Sequence, residues 1–135
     1  MLTERNFFTL FLSASLLLVI LQILGVLFYF FWKFPWIDIP MHFLGGFIVA
    51  LAAFAFLGYF KSIWFPVSHR FIFLFLITVA LSIGVGWEFF ELATKTSFLN
   101  APGFLLDTTK DIINDTLGSL AAWYFIIRQY ASSFV

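Results

Sequence analysis

Cysteine is absent from this chain, which removes disulfides, thiol nucleophiles and zinc–thiolate sites together. Charge is scarce too: 10% of residues are Asp, Glu, Lys or Arg, against about 25% in an ordinary soluble domain. A soluble protein of 135 residues needs a polar shell, and this composition cannot supply one. Seven cations and seven acids cancel to a formal net charge of zero, so there is no broad basic face for nucleic acid and no acidic tail. No serine sits in a nucleophile elbow, and no arginine cluster is present that would hold a phosphate without help from a metal.

What the chain has is hydrophobic length. It is 63% apolar, with 22 phenylalanines read as lipid-facing bulk, and its mean hydropathy is +1.06. About 20 apolar residues cross a hydrocarbon core of about 30 Å. The first apolar run, 7–32, exceeds that and carries Gln22 as its one strongly polar residue. It is also longer than the apolar region of a signal peptide and has no clear cleavage site after it, so it reads as a retained helix. Lys33, Pro35 and the flanking Trp32 and Trp36 mark an interfacial break. Further spans are predicted at 39–60, 71–92 and 107–130, with a turn near Pro66 and another at Asn100 to Gly103. The expected fold is therefore all-α: one polytopic membrane domain over 1–135, a bundle of four transmembrane helices in the cell (plasma or inner) membrane.

The acids are unevenly distributed. Apart from Glu4, all of them lie at or inside a predicted helix end: Asp38, Glu88, Glu91, Asp107, Asp111 and Asp115. In an up-down-up-down bundle these ends share one side, so topology alone gathers six acids and His42 in one layer. Helical phase agrees. Asp38 and His42 are four apart, and Gly46 continues their stripe. Glu88 and Glu91 share a face with Gly84, while Asp107, Asp111, Asn114 and Gly118 form a narrow arc with Asp115 at its edge. Small residues beside polar ones mark helix–helix interfaces in membranes, so the acids are expected to point inward.

Carboxylates so placed need neutralising. Two unit charges about 4 Å apart repel by roughly 4 kcal/mol even at an effective dielectric of about 20. Protons, Lys110 or a bound cation would serve, and an oxygen-rich set with one imidazole suits Mg, Mn, Fe or Zn. Taken singly, Asp38 and Asp107 also read as helix caps and Glu91 as a solvated helix end. Glu88, Asp111 and Asp115 do not, because ionisable residues inside a span are functional by default. The expected metal ligands are Asp38, His42, Glu88, Glu91, Asp107, Asp111 and Asp115, with Glu88 and Asp111 as catalytic candidates and Asn114 and Lys110 as further polar members. His69 and the Gly84-Val85-Gly86 segment are read as a loop residue and a packing stripe.

Three polar blocks support this set by resemblance. Asp38, His42, Phe43, Gly46 and Phe47 fit D-x-x-x-H-F-x-x-G-F, Glu88 and Glu91 fit E-x-x-E, and Asp107, Thr108 and Asp111 fit D-T-x-x-D. In that order, on successive helices, they resemble the bacterial inner-membrane YjdF family, and more distantly the Asp–His pair is similar to VanZ-like membrane proteins. The resemblance implies these site residues and no particular reaction.

Three functions fit the residues. One is a metal-dependent membrane enzyme acting on a lipid or lipid-linked phosphate. The second is an accessory or binding protein, including a homo-oligomer, whose polar cluster is structural. The third is a proton or ion transporter. Ala53 to Tyr59, Phe71 to Ile83 and Leu120 to Ile127 hold no charge or histidine, which argues against a path through the bundle. With a cytoplasmic N-terminus, that side holds Arg5, Lys61, Arg70 and Arg128, against Lys33, Lys95 and Lys110 opposite, so the positive-inside rule leans towards both termini inside. Reporter fusions at Ser97 and Val135 are expected to report opposite sides of the membrane. Fusions on the same side would rule out a fourth span.

Overall fold

The computed structural model describes residues 4–64, 68–94 and 103–130, and all regular structure within them is helical. Four long helices, α1 (Glu4–Leu27), α3 (Asp38–Trp64), α4 (His69–Thr94) and α5 (Phe104–Tyr130), are accompanied by the short α2 (Phe30–Lys33) and a 3-10 turn at Pro35–Ile37. The expected Pro66 turn and the connector at 95–102 lie outside the described residues, although Gly103 (φ 91°) does turn the chain immediately before α5.

Three stretches are long and apolar enough to cross a membrane: Asn6–Leu27, Asp38–Gly58 and His69–Thr94. The fourth expected span does not join them. α5 has the length, 27 residues, but Asp107, Lys110, Asp111, Asn114 and Asp115 fill its first half and lower its hydropathy. The first span also stops earlier than the apolar run suggests, at Leu27 rather than Trp32. Tyr29 adopts a left-handed conformation (φ 58°), which a residue with a Cβ takes at about 1–2 kcal/mol. Gly25 offers a bare patch of helix on which the Phe31 ring lies as the chain turns back.

α3 is the central element, touching α1, α4 and α5, and its most extensive contact is with α5. Gly46 faces Asp115 and Gly118 faces Phe43 and Phe47 at the crossing, and Asp38 pairs with Lys110 while His42, one turn on, meets Asp115, so α3 and α5 run parallel. Gly84 faces Asp115, and Phe73 meets Trp123 with ring centroids 5.1 Å apart, so α4 runs antiparallel to both. The polar ends of α3, α4 and α5 consequently share one layer. The opposite half is closed by Ala50, Leu51, Ile72, Leu76, Ala122 and Ile126, all buried, with Phe7, Leu10 and Phe11 of α1 packed against them.

Two glycines set the α3–α5 distance. A Cβ on Gly46 would collide with the Asp115 backbone carbonyl, and one on Gly118 with the Phe43 carbonyl and Phe47 amide. Neither neighbour is a flexible side chain that can move aside. Gly46→Ala and Gly118→Ala are therefore expected to separate the helices and destabilise the fold by about 2 kcal/mol or more. Gly58→Ala and Gly86→Ala, where a Cβ meets nothing within 4 Å, should leave thermal unfolding in detergent unchanged.

Candidate functional site

His42 is the hub of the polar layer. It sits one turn into α3, and its two ring nitrogens face different partners. Nε2 lies 3.6 Å from Asp38 Oδ1 and 3.9 Å from Asp111 Oδ1. Nδ1 lies 3.4 Å from both Asp115 oxygens. Donation from Nδ1 to Asp115 would orient the ring from behind and turn Nε2 toward Asp38 and Asp111.

The helices explain these positions. Asp38 is the first residue of α3 and takes helical dihedrals (φ −64°, ψ −37°) directly after the 3-10 turn. It is therefore inside the first turn rather than capping it from outside, which places it one turn from His42 on the same face. Asp107 likewise lies inside the first turn of α5. Both acids gain from the positive end of a helix dipole. Asp115 is central to the interface, not at its edge: it is buried, and a Cβ on Gly84 would lie 2.5 Å from its Oδ2. Gly46 and Gly84 make the space in which it meets His42.

Lys110 ties the outer acids together. Its ammonium donates to Asp107 Oδ1 at 2.6 Å and lies 3.8 Å from both Asp38 Oδ2 and Asp111 Oδ1. Asp107, on the far side of Lys110, has a side chain 62% exposed. Asp111 is only 3% exposed, and its Oδ1 is buried without a hydrogen-bond partner.

The remaining expected residues form a second group. Glu88, 8% exposed, accepts a 2.7 Å hydrogen bond from Thr108 Oγ1 through Oε2, while its Oε1 is buried without a partner. Glu91 accepts from Trp87 Nε1 at 3.0 Å on its own helix. Asn114 is buried but donates back to the Lys110 carbonyl at 2.8 Å. His69 opens α4 at the other end of the bundle. Among the described residues, the group whose ligand atoms all lie within 4.8 Å of one another is Asp38, His42 and Asp111.

Sequence reasoning missed Thr108, Ser119 and the Trp123 indole as polar members. Ser119 is fully buried, and its Oγ and Trp123 Nε1 both lack a hydrogen-bond partner. Their signal was the spacing of four that runs from Asp111 through Asp115 and Ser119 to Trp123. Thr108 had a weaker one, its place inside the D-T-x-x-D block. Thr108→Val keeps the side chain's shape but leaves Glu88 Oε2 without its donor, so a loss of about 1 kcal/mol is expected. Thr109 donates to its own helix at the Leu105 carbonyl and is exposed, and Thr109→Val is the control that unfolding in detergent should barely register.

No curated protein and no solved structure matches the chain. A family described as predicted membrane proteins, DUF2238, matches residues 3–132, nearly the whole length. With helices apolar enough to span a bilayer and a match of that extent, the chain is a membrane protein belonging to the DUF2238 family.

Proposed function

We propose that the chain is a four-span protein of the cell membrane, with both termini cytoplasmic, whose polar layer binds one divalent cation and acts on a lipid-linked phosphate. α5 would be the fourth span: 27 residues extend about 40 Å at 1.5 Å per residue, and α3 and α4 cover its polar face. The three polar blocks would be those of the YjdF family.

The orientation of His42 carries the cation reading. Asp115 stands behind Nδ1, and Nε2 faces two carboxylates at 3.6 and 3.9 Å. Two ligands each about 2.0–2.2 Å from a metal stand no more than about 4.4 Å apart, so both distances suit a shared ion. Asp111 Oδ1, buried and without a hydrogen bond, is the oxygen with most to gain from it. Asp38, His42 and Asp111 would be the ligands and Asp115 the residue that orients the imidazole. Glu88 and Asp107 would stand outside the set, and Glu91 is turned to Trp87.

When bound, the cation would polarise a phosphoryl oxygen and help to generate the nucleophile. Glu88 would act as the base, held by Thr108 at Oε2 while Oε1 carries no hydrogen bond. As a water oxygen bonds to phosphorus and the bridging P–O bond breaks, Glu88 takes the water proton and returns it to the leaving oxygen. A second reading has its own observation. Lys110 reaches Asp38, Asp107 and Asp111, so the cluster carries a cation of its own and would serve as scaffold in an accessory protein.

Purified protein in detergent is expected to bind about one Mn²⁺ per chain, and Asp111→Asn or His42→Ala should weaken binding by about tenfold or more, as loss of a ligand does. Glu88→Gln should retain Mn²⁺ yet abolish phosphate release from a polyprenyl diphosphate in mixed micelles. A wild-type protein that neither binds Mg²⁺, Mn²⁺ or Zn²⁺ nor melts differently with them would discard the cation. Mn²⁺ binding without phosphate release would leave the accessory reading in its place.

A further inference from the structure

We propose that Lys110 is a built-in competitor for the cation site, an ammonium that holds the ligand carboxylates together until a divalent ion displaces it. The inference rests on the cation reading and adds the element that sets its affinity. Its geometry is specific. Lys110 Nζ stands 3.8 Å from Asp38 Oδ2 and 3.8 Å from Asp111 Oδ1, contacting two of the three ligand residues without a tight hydrogen bond to either. Its one short contact, 2.6 Å, is to Asp107 Oδ1, an exposed acid outside the ligand group. Lys110 is thus anchored beside the site and leans into it. Asp107 gives it a place to remain when the site fills.

Electrostatics gives the arrangement a direction. Asp38, Asp107, Asp111 and Asp115 surround a single ammonium and a single imidazole. Without a metal, Lys110 is the permanent positive charge among them, and removing it would leave Asp38 and Asp111 repelling each other across a partly desolvated gap. With a dication bound between the same oxygens, an ammonium about 4 Å away becomes a like charge and opposes binding. One residue therefore stabilises the unloaded bundle and weakens the loaded one. A purely structural lysine would stabilise both. The four-carbon stem allows the exchange, because the head can settle on Asp107 with no movement of the helix backbone.

The test compares wild type, Lys110→Gln and Lys110→Arg in detergent, with Mn²⁺ binding followed by calorimetry and stability by thermal melting. Lys110→Gln is expected to bind Mn²⁺ about tenfold more tightly than wild type and to melt lower without metal, with the gap closing at saturating Mn²⁺. Lys110→Arg keeps the charge and should stay near wild type in affinity. Mn²⁺ binding of equal or lower affinity in Lys110→Gln overturns the competitor role while leaving the cation site intact. If neither protein binds, both this inference and the reading beneath it fail. A Lys110→Gln protein too unstable to purify without metal is prepared and titrated in Mn²⁺-containing detergent, where rescue by the ion is the expected result and no rescue is the contrary one.

Discussion

The fold depends on how closely α3 and α5 approach. Gly46 and Gly118 leave no room for a methyl group between the two backbones, and every feature of the polar layer follows from that distance. It brings Asp111 and Asp115 of α5 to either side of the His42 ring. Gly84 then lets α4 close over Asp115 on the side away from α3. In a lipid phase, where apolar surface gains nothing by leaving the solvent, such close backbone packing is the main source of helix association. The glycines therefore stabilise the bundle and also fix the positions of the acids.

Much of this was visible in the sequence. The spacing of four between Asp38 and His42, and alternating helix direction, were enough to place both with Asp111 and Asp115 in one layer. Side-chain direction was less legible. A helical wheel puts Asp115 at the margin of its arc, but its true surroundings are set by glycines on two other helices. Glu91 shares its face with Glu88 yet is claimed by Trp87 one turn away. Thr108 was hard to distinguish, because helical threonines commonly bond to their own backbone, as Thr94, Thr109 and Thr116 do here. The break after Leu27 has no glycine or proline at the turning residue, since Tyr29 makes the turn in an aromatic run that reads as continuous helix.

The polar layer distributes its partners unevenly. A buried pair is stable when each charge has its partners, and a lone surplus charge is strongly destabilising. Here Lys110 is most tightly bound to the most exposed acid, Asp107, while the most buried, Asp111, has an oxygen with no hydrogen bond. The unpaired Oε1 of Glu88 repeats the pattern beside it.

Those same residues explain why α5 falls short of a span by hydropathy. Removing its acids and Lys110 would leave a more apolar helix, but one with nothing to present to His42. α3 and α4 cover the polar face of α5 where the glycines allow contact. Farther along, the polar stripe thins to Ser119 and the Trp123 indole, and Ala122 and Ile126, beside and beyond them, are sealed by Leu51, Ile72 and Leu76. No charged group lies beyond that seal on α3, α4 or α5 until Arg128 on α5, Lys61 on α3 and Arg70 on α4, near their far ends. The acids and His42 thus stand on the side on which α3 and α5 begin, with Lys61, Arg70 and Arg128 at the other end of the bundle.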